Sequence, residues 1–161
     1  MLQLPFPLFF ENNLEGHTTG IEIGVTNQLF SWWRLHTGYA FLSEDLHAKA
    51  GRTDFNQALN ETADPPHQLA VRSAFTVAPL ELDAALRWVD ALRFNDGGTP
   101  GTVPGYAELD GRAGWHAASH LELSLVAQNL LHDRHLEYVI SSPNPREEIG
   151  RRVYVRAALR W

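Results

Sequence analysis

From Ile21 onward, apolar and polar residues trade places at nearly every step. Ile21, Ile23 and Val25 alternate with Glu22, Gly24 and Thr26, and Trp33, Leu35, Thr37, Tyr39 and Phe41 alternate with Arg34, His36, Gly38 and Ala40. A period of two marks a strand with one apolar and one polar face. The beat returns in Leu69, Val71, Phe75 and Val77, in Leu80, Leu82, Leu86 and Trp88, in Leu109, Ala113 and Trp115, in Leu121, Leu123 and Leu125, and in the closing GRRVYVRAALRW. With an opening piece over Leu2 to Phe10, broken by Pro5 and Pro7, the pattern predicts about eight up-and-down strands and no helix. The expected class is all-β and antiparallel, with residues 1–161 as one domain.

The connections alternate in length. Short links are expected at Leu29 to Trp32, Ala78 to Pro79 and Ala117 to His120, and longer polar ones at Glu11 to Gly16, Glu44 to Pro66, Asn95 to Pro104 and Ser141 to Gly150. Tight turns at one end and long loops at the other are the asymmetry of an outer-membrane barrel, and soluble sandwiches do not sort connections this way. Strand length agrees, since a tilted strand needs ~9–11 residues to cross a bilayer, against ~5–6 in an ordinary sheet.

Energetics then assign the faces. An arginine such as Arg156 on the lipid side would cost ~2–4 kcal/mol near the bilayer midplane, so Arg152, Arg156 and Arg160 must face a watery interior. By the same rule Glu22, Arg34, Arg72, Asp83, Arg87, Asp110, Arg112 and Glu122 point inward, where opposite charges on neighbouring strands can pair. Aromatic residues fall near strand ends: Trp33, Trp115 and Trp161 beside the short turns, and Tyr39, Phe41, Trp88 and Tyr106 nearer the loops. Two girdles at headgroup depth are expected.

Composition narrows the function. Nineteen acidic against thirteen basic residues give a net charge of −6, so no cationic surplus exists to hold a nucleic acid. The absence of cysteine rules out disulfides, thiolate metal sites and cysteine nucleophiles. No apolar run is long enough for a spanning helix. The N-terminus lacks a basic n-region and carries prolines, so any export signal is expected outside this chain.

The ordering of residues towards the C-terminus is similar to a known family. VPGYAELDGRAGW, LELSLVAQNLLHDRHLEY and REEIGRRVYVRAALRW resemble the closing strands of TonB-dependent outer-membrane receptors, which import iron–siderophore complexes, cobalamin and similar scarce ligands. GHTTGIEIGV and HQLAVRSAF resemble earlier strands. The resemblance implies a partial barrel, the C-terminal part of a 22-stranded wall that normally encloses a plug. No sequence resembling the plug is present, and Gly150 and Leu136 stand where many relatives have proline. The implied partners are outer-membrane lipid, the remaining barrel and plug, TonB through that plug alone, and the barrel assembly machinery, which would read the terminal Trp161. Val153, Val155, Ala157 and Leu159 would then face lipid.

The leading expectation is therefore a wall segment of an energy-coupled importer in the outer membrane, not competent for transport alone. A self-contained eight-stranded outer-membrane barrel with a structural or adhesive role is the alternative, and a soluble eight-stranded carrier a third. Arg72, Arg87, Arg112 and Arg156 are candidates to meet an anionic siderophore, the plainer reading being a solvated lining laced with salt bridges. Histidines 116 and 120, and the group His132, Asp133 and His135, invite a metal reading. On a strand such spacings do not converge, so they are read as exposed turn residues. No catalytic order of residues is present and no enzyme or cofactor is expected.

Overall fold

The computed structural model describes residues 11–54, 58, 63–96, 99–137 and 148–161. Seven long strands are joined in one antiparallel sheet: β1 (Leu14–Phe30), β2 (Trp33–Ala48), β3 (His67–Val77), β4 (Leu80–Val89), β7 (Tyr106–Ala118), β8 (Leu121–Gln128) and β11 (Arg152–Leu159), hydrogen-bonded in that order. Two small hairpins stand apart from it: β5 (Leu92–Asp96) with β6 (Thr99–Val103), and β9 (Arg134–His135) with β10 (Ile149–Gly150). Among the described residues there is no helix, and β1 and β11 do not pair with each other, so the sheet is open. The expected strand over Leu2 to Phe10 lies outside the described residues.

The register carries the two-faced pattern across every strand. Ile21 stands opposite Phe41, Tyr39 opposite Leu69, Leu69 opposite Trp88, Leu86 opposite Leu109, Ala113 opposite Leu125, and Leu125 opposite Val155. Residues facing each other across a ladder share a side of the sheet, so these rows form one continuous apolar face. From the Ile21/Phe41 level to the short turns it carries no Asp, Glu, Lys or Arg. Ser73 is one of its polar interruptions, and its Oγ accepts the Trp33 Nε1–H at 2.8 Å.

This face is uncovered. Val155 is 73% exposed and Ile21 53%, values that a sandwich core would reduce to near zero. The buried apolar cluster sits elsewhere, at the loop end, where Leu92, Phe94 and Val103 pack with Ala63 and Leu136. Phe94 lies across Gly101 of the facing strand, where a Cβ would stand 2.3 Å from the ring.

The short links fall where alternation predicts them, at Phe30–Trp33, Val77–Leu80 and Ala118–Leu121. A bulge between Gln28 and Phe30 shifts the pairing by one residue, so Phe30 faces Trp33. Without the extra residue Phe30 would lie on the polar face. Instead Phe30, Trp32, Trp33 and Phe75 form a stacked row of rings at this end, with centroids 5.2–6.2 Å apart.

The loop end differs from expectation in three places. Strand β1 begins at Leu14 and β2 runs to Ala48, inside segments expected to be loops. Beyond Ile21 and Phe41 the shared face turns polar, with Thr19 opposite Ser43, His17 opposite Asp45 and Glu15 opposite His47. Pairing there continues with both faces wet, so alternation no longer announces it. The segment expected as a loop over 95–104 carries most of the β5–β6 hairpin. Tyr106 is opposite Val89, which puts its ring on the polar face and outside the loop-side girdle.

Candidate functional site

The polar face gathers the charges. Register places Glu22, Arg34, Arg72, Asp83, Arg87, Asp110, Arg112 and Glu122 together on it, along with Arg152 and Arg156, and Arg160, just past the last strand, reaches Glu122 from the same side. These groups do not share one arrangement.

Towards the short turns, Arg112 is held by three carboxylates. Its Nη1 donates to Glu81 Oε2 and Asp83 Oδ2, both at 2.9 Å, and its Nη2 to Glu122 Oε1 at 2.5 Å. His116 Nε2 stands 3.0 Å from Glu81 Oε1, and Arg160 extends the network to Glu122 at 3.8 Å. Gly114 makes room, since a Cβ there would lie 2.8 Å from Arg112 Nη2. A guanidinium that ties three strands together through three carboxylates staples the wall, and its charge is already matched.

Near the loops a second network forms where the chain leaves β8. Asn129 adopts a left-handed φ of 55°; its N–H donates to Asp110 Oδ1 at 2.9 Å, and the Leu130 N–H to the Leu109 carbonyl at 3.0 Å. The Asn-Leu pair of the sequence thus folds residues 131–135 back over β7. There Glu108, 2% exposed, accepts the Leu131 N–H at 3.2 Å through Oε2. Its Oε1 lies 2.6 Å from His132 Nδ1 and 3.1 Å from His135 Nδ1.

The far side of His135 is held as well. Its Nε2 is 2.9 Å from Glu137 Oε1, which also accepts from Arg87 Nη2 at 2.5 Å. Arg87 Nη1 donates to the Tyr106 hydroxyl at 3.0 Å, with the guanidinium carbon 5.2 Å from the ring centre. Burial pushes the Glu137 carboxyl upward, but the hydrogen bonds with Arg87 and His135 outweigh it and hold the group below the usual carboxylate range. Asp133, grouped with these histidines by sequence proximity, turns away to Arg151 at 3.2 Å.

Arg72 and Arg156 differ from the other two candidates. Neither has an ion-pair or hydrogen-bond partner among the described residues. Arg72 lines a cleft of about 290 Å³ with Asp110, Arg112 and Gln128. A larger groove of about 610 Å³ opens at the loop end between Glu44, Asp64, Asp90 and Arg93. Burial first, and then the charge of Asp64, raise the Glu44 carboxyl above its ordinary range. On the opposite face Val153, Val155, Ala157 and Leu159 align with Ala127, Leu125, Leu123 and Leu121. Trp161 follows the last strand, fully exposed.

Sequence reasoning missed the convergence of Glu108, His132 and His135. Strand spacing keeps residues i and i+3 on opposite sides, but the segment leaves the strand at Asn129, and the third member comes from β7. A charged Glu108 on the polar beat of β7, 24 residues before the first of the two histidines, was the available signal.

Residues 3–130 match the family described as TonB dependent receptor-like, beta-barrel. The chain belongs to this family. It is 28% identical over 126 residues to the probable TonB-dependent receptor BfrD of Bordetella pertussis, covering 73% of this chain and 17% of that protein. The fold superposes on the siderophore receptor PiuA of Acinetobacter baumannii with a TM-score of 0.70 at 21% identity, covering 89% of this chain and 22% of that one. The ferric yersiniabactin uptake receptor FyuA of Yersinia pestis gives 0.71 at 18% identity, over 92% and 24%. The chain thus spans about a fifth of the length of the relatives it matches. The family match takes in GHTTGIEIGV, HQLAVRSAF and VPGYAELDGRAGW and stops before the closing strand.

Proposed function

We propose that residues 1–161 act as one unit, a section of the wall of an outer-membrane importer that takes up an iron–siderophore complex or a similarly scarce ligand. The observation that carries this is the open sheet, apolar and bare on one side and charged on the other, with its two edge strands unpaired among the described residues. An exposed edge needs a partner, and further strands of a larger barrel supply one. In this reading the apolar face meets lipid, and the stretch Ile21 to Phe30 matches the ~9–11 residues of a membrane-crossing strand. The polar face lines the lumen. The wall is passive, and TonB acts through the plug of the complete receptor. The assembly machinery reads the closing strand and Trp161.

Deletion of this coding region in its host, followed by growth on ferric siderophores as the iron source, tests the proposal. Loss of growth on one siderophore class, restored by the intact gene, is expected. Unchanged growth on every siderophore, together with a chain that is monodisperse in buffer without detergent, would contradict it.

A further inference from the structure

The carboxylate of Glu108 is nearly sealed from solvent, and burying a charge is costly unless it is matched. Two imidazole nitrogens face its Oε1, His132 Nδ1 at 2.6 Å and His135 Nδ1 at 3.1 Å. The second contact is close but not a formed hydrogen bond, and His135 Nδ1 is a buried polar atom without a partner. Its side chain is 7% exposed.

The reason lies on its other side. Glu137 Oε1 sits 2.9 Å from His135 Nε2, and this carboxylate, fixed by Arg87, places the ring proton on Nε2. In the neutral imidazole Nδ1 then carries a lone pair that meets the lone pairs of Glu108. Two acceptors face each other in a buried space, with a third nitrogen beside them. A cation between them resolves the conflict.

We propose that Glu108, His132 and His135 bind a divalent transition metal of the kind that takes nitrogen and oxygen donors, with zinc as the reference ion. The three donor atoms already lie within 4.8 Å of one another. Donors around a tetrahedral zinc with bonds of ~2.0–2.1 Å stand roughly 3.3 Å apart, so small side-chain shifts admit the ion. A carboxylate on the remote nitrogen of a ligating histidine is the usual support for such a site, because it fixes the tautomer and raises ligand basicity. Glu137 supplies it. His132, with 46% of its side chain exposed, gives the ion a route in, and the fourth position is taken by water. The bound ion pins the turn after β8 onto β7 at the loop end of the polar face. The inference stands on this cluster alone and does not depend on what the importer carries.

The test uses the whole chain folded in detergent micelles, stripped with chelator, incubated with zinc alone at neutral pH and passed through gel filtration before metal analysis. One zinc per chain is expected. X-ray absorption of the loaded sample should show nitrogen and oxygen scatterers at ~2.0–2.1 Å with imidazole multiple scattering. His132→Ala removes an exposed ligand and should abolish retention, while Glu137→Gln should weaken binding by ~10–100-fold. His116→Ala should change nothing. Far-UV circular dichroism of each variant separates loss of ligand from loss of fold. No zinc retained by the folded wild-type chain, or equal retention by a folded His132→Ala variant, would overturn the proposal in favour of histidines that balance Glu108 by carrying protons.

Discussion

Asp83 and Arg112 stand directly opposite each other on β4 and β7, with 2.9 Å between Oδ2 and Nη1. The same guanidinium reaches Glu81 and Glu122, so removing it leaves three carboxylates clustered on one side of the sheet. Arg112→Ala should destabilise the folded chain by roughly 1–3 kcal/mol, as expected for hydrogen bonds to charged groups in a half-buried network. The loss would appear as a lower urea midpoint in detergent. Arg112→Lys should recover only part of it, because one ammonium nitrogen cannot reach carboxylates on both neighbouring strands as the two guanidinium nitrogens do.

The four arginines expected to meet a ligand separate into two kinds. Arg87 and Arg112 are held by carboxylates, whereas Arg72 and Arg156 have no partner among the described residues. In the complete importer, Arg72→Ala should weaken binding of an anionic ferric chelate by about 10-fold or more, the scale of one charged hydrogen bond, and leave stability unchanged. Arg112→Ala should do the reverse. Equilibrium binding and denaturant unfolding on the same two variants check the contrast.

Gly101 gives the loop-end cluster its shape. A methyl group there would enter the Phe94 ring at 2.3 Å, so Gly101→Ala should expel the ring from its contacts with Leu92 and Val103. Faster proteolysis between Val89 and Tyr106, with cleavage elsewhere unchanged, is the expected readout.

Two carboxyls outside the apolar band respond to pH with opposite sign. Glu137 is held below its ordinary value of 4.5, so its stabilising contribution is complete above that value and fades as pH falls through the depressed one. Glu44 is raised above 4.5; what it contributes is present below that value and fades as pH rises through the raised one. Above the acidic range wild type should therefore be more stable than Glu137→Gln and less stable than Glu44→Gln, and both gaps should close on acidification. Unfolding midpoints of both variants across the acidic range measure this.

Alternation made the long strands and their faces legible, because a slip of one residue would move every side chain to the wrong side. The same rule stops working where both faces are wet. That is why the outer halves of β1 and β2 were not visible in the sequence, whereas the β5–β6 hairpin, with Leu92, Phe94 and Val103 buried, escaped notice because its strands have only five residues each and Pro100 and Gly101 read as loop. Tyr106 was misplaced because aromatic identity suggested a girdle, while its parity with Val89 sets it beside Arg87 and His135. The Glu108 cluster depends on a single left-handed residue, Asn129, and on a partner from another strand. Neither is a local pattern.

The account rests on the two faces of the wall, and the last strand offers the cleanest probe. The chain contains no cysteine, so single cysteines placed in turn at positions 153–159 can each carry one spin label. In lipid bilayers, accessibility to oxygen and to a water-soluble nickel chelate should alternate with a period of two. Labels at 153, 155, 157 and 159 should favour oxygen, and labels at 154, 156 and 158 the nickel chelate. A uniform profile, or one in which the odd positions are shielded from both reagents as in a sealed protein core, would contradict it.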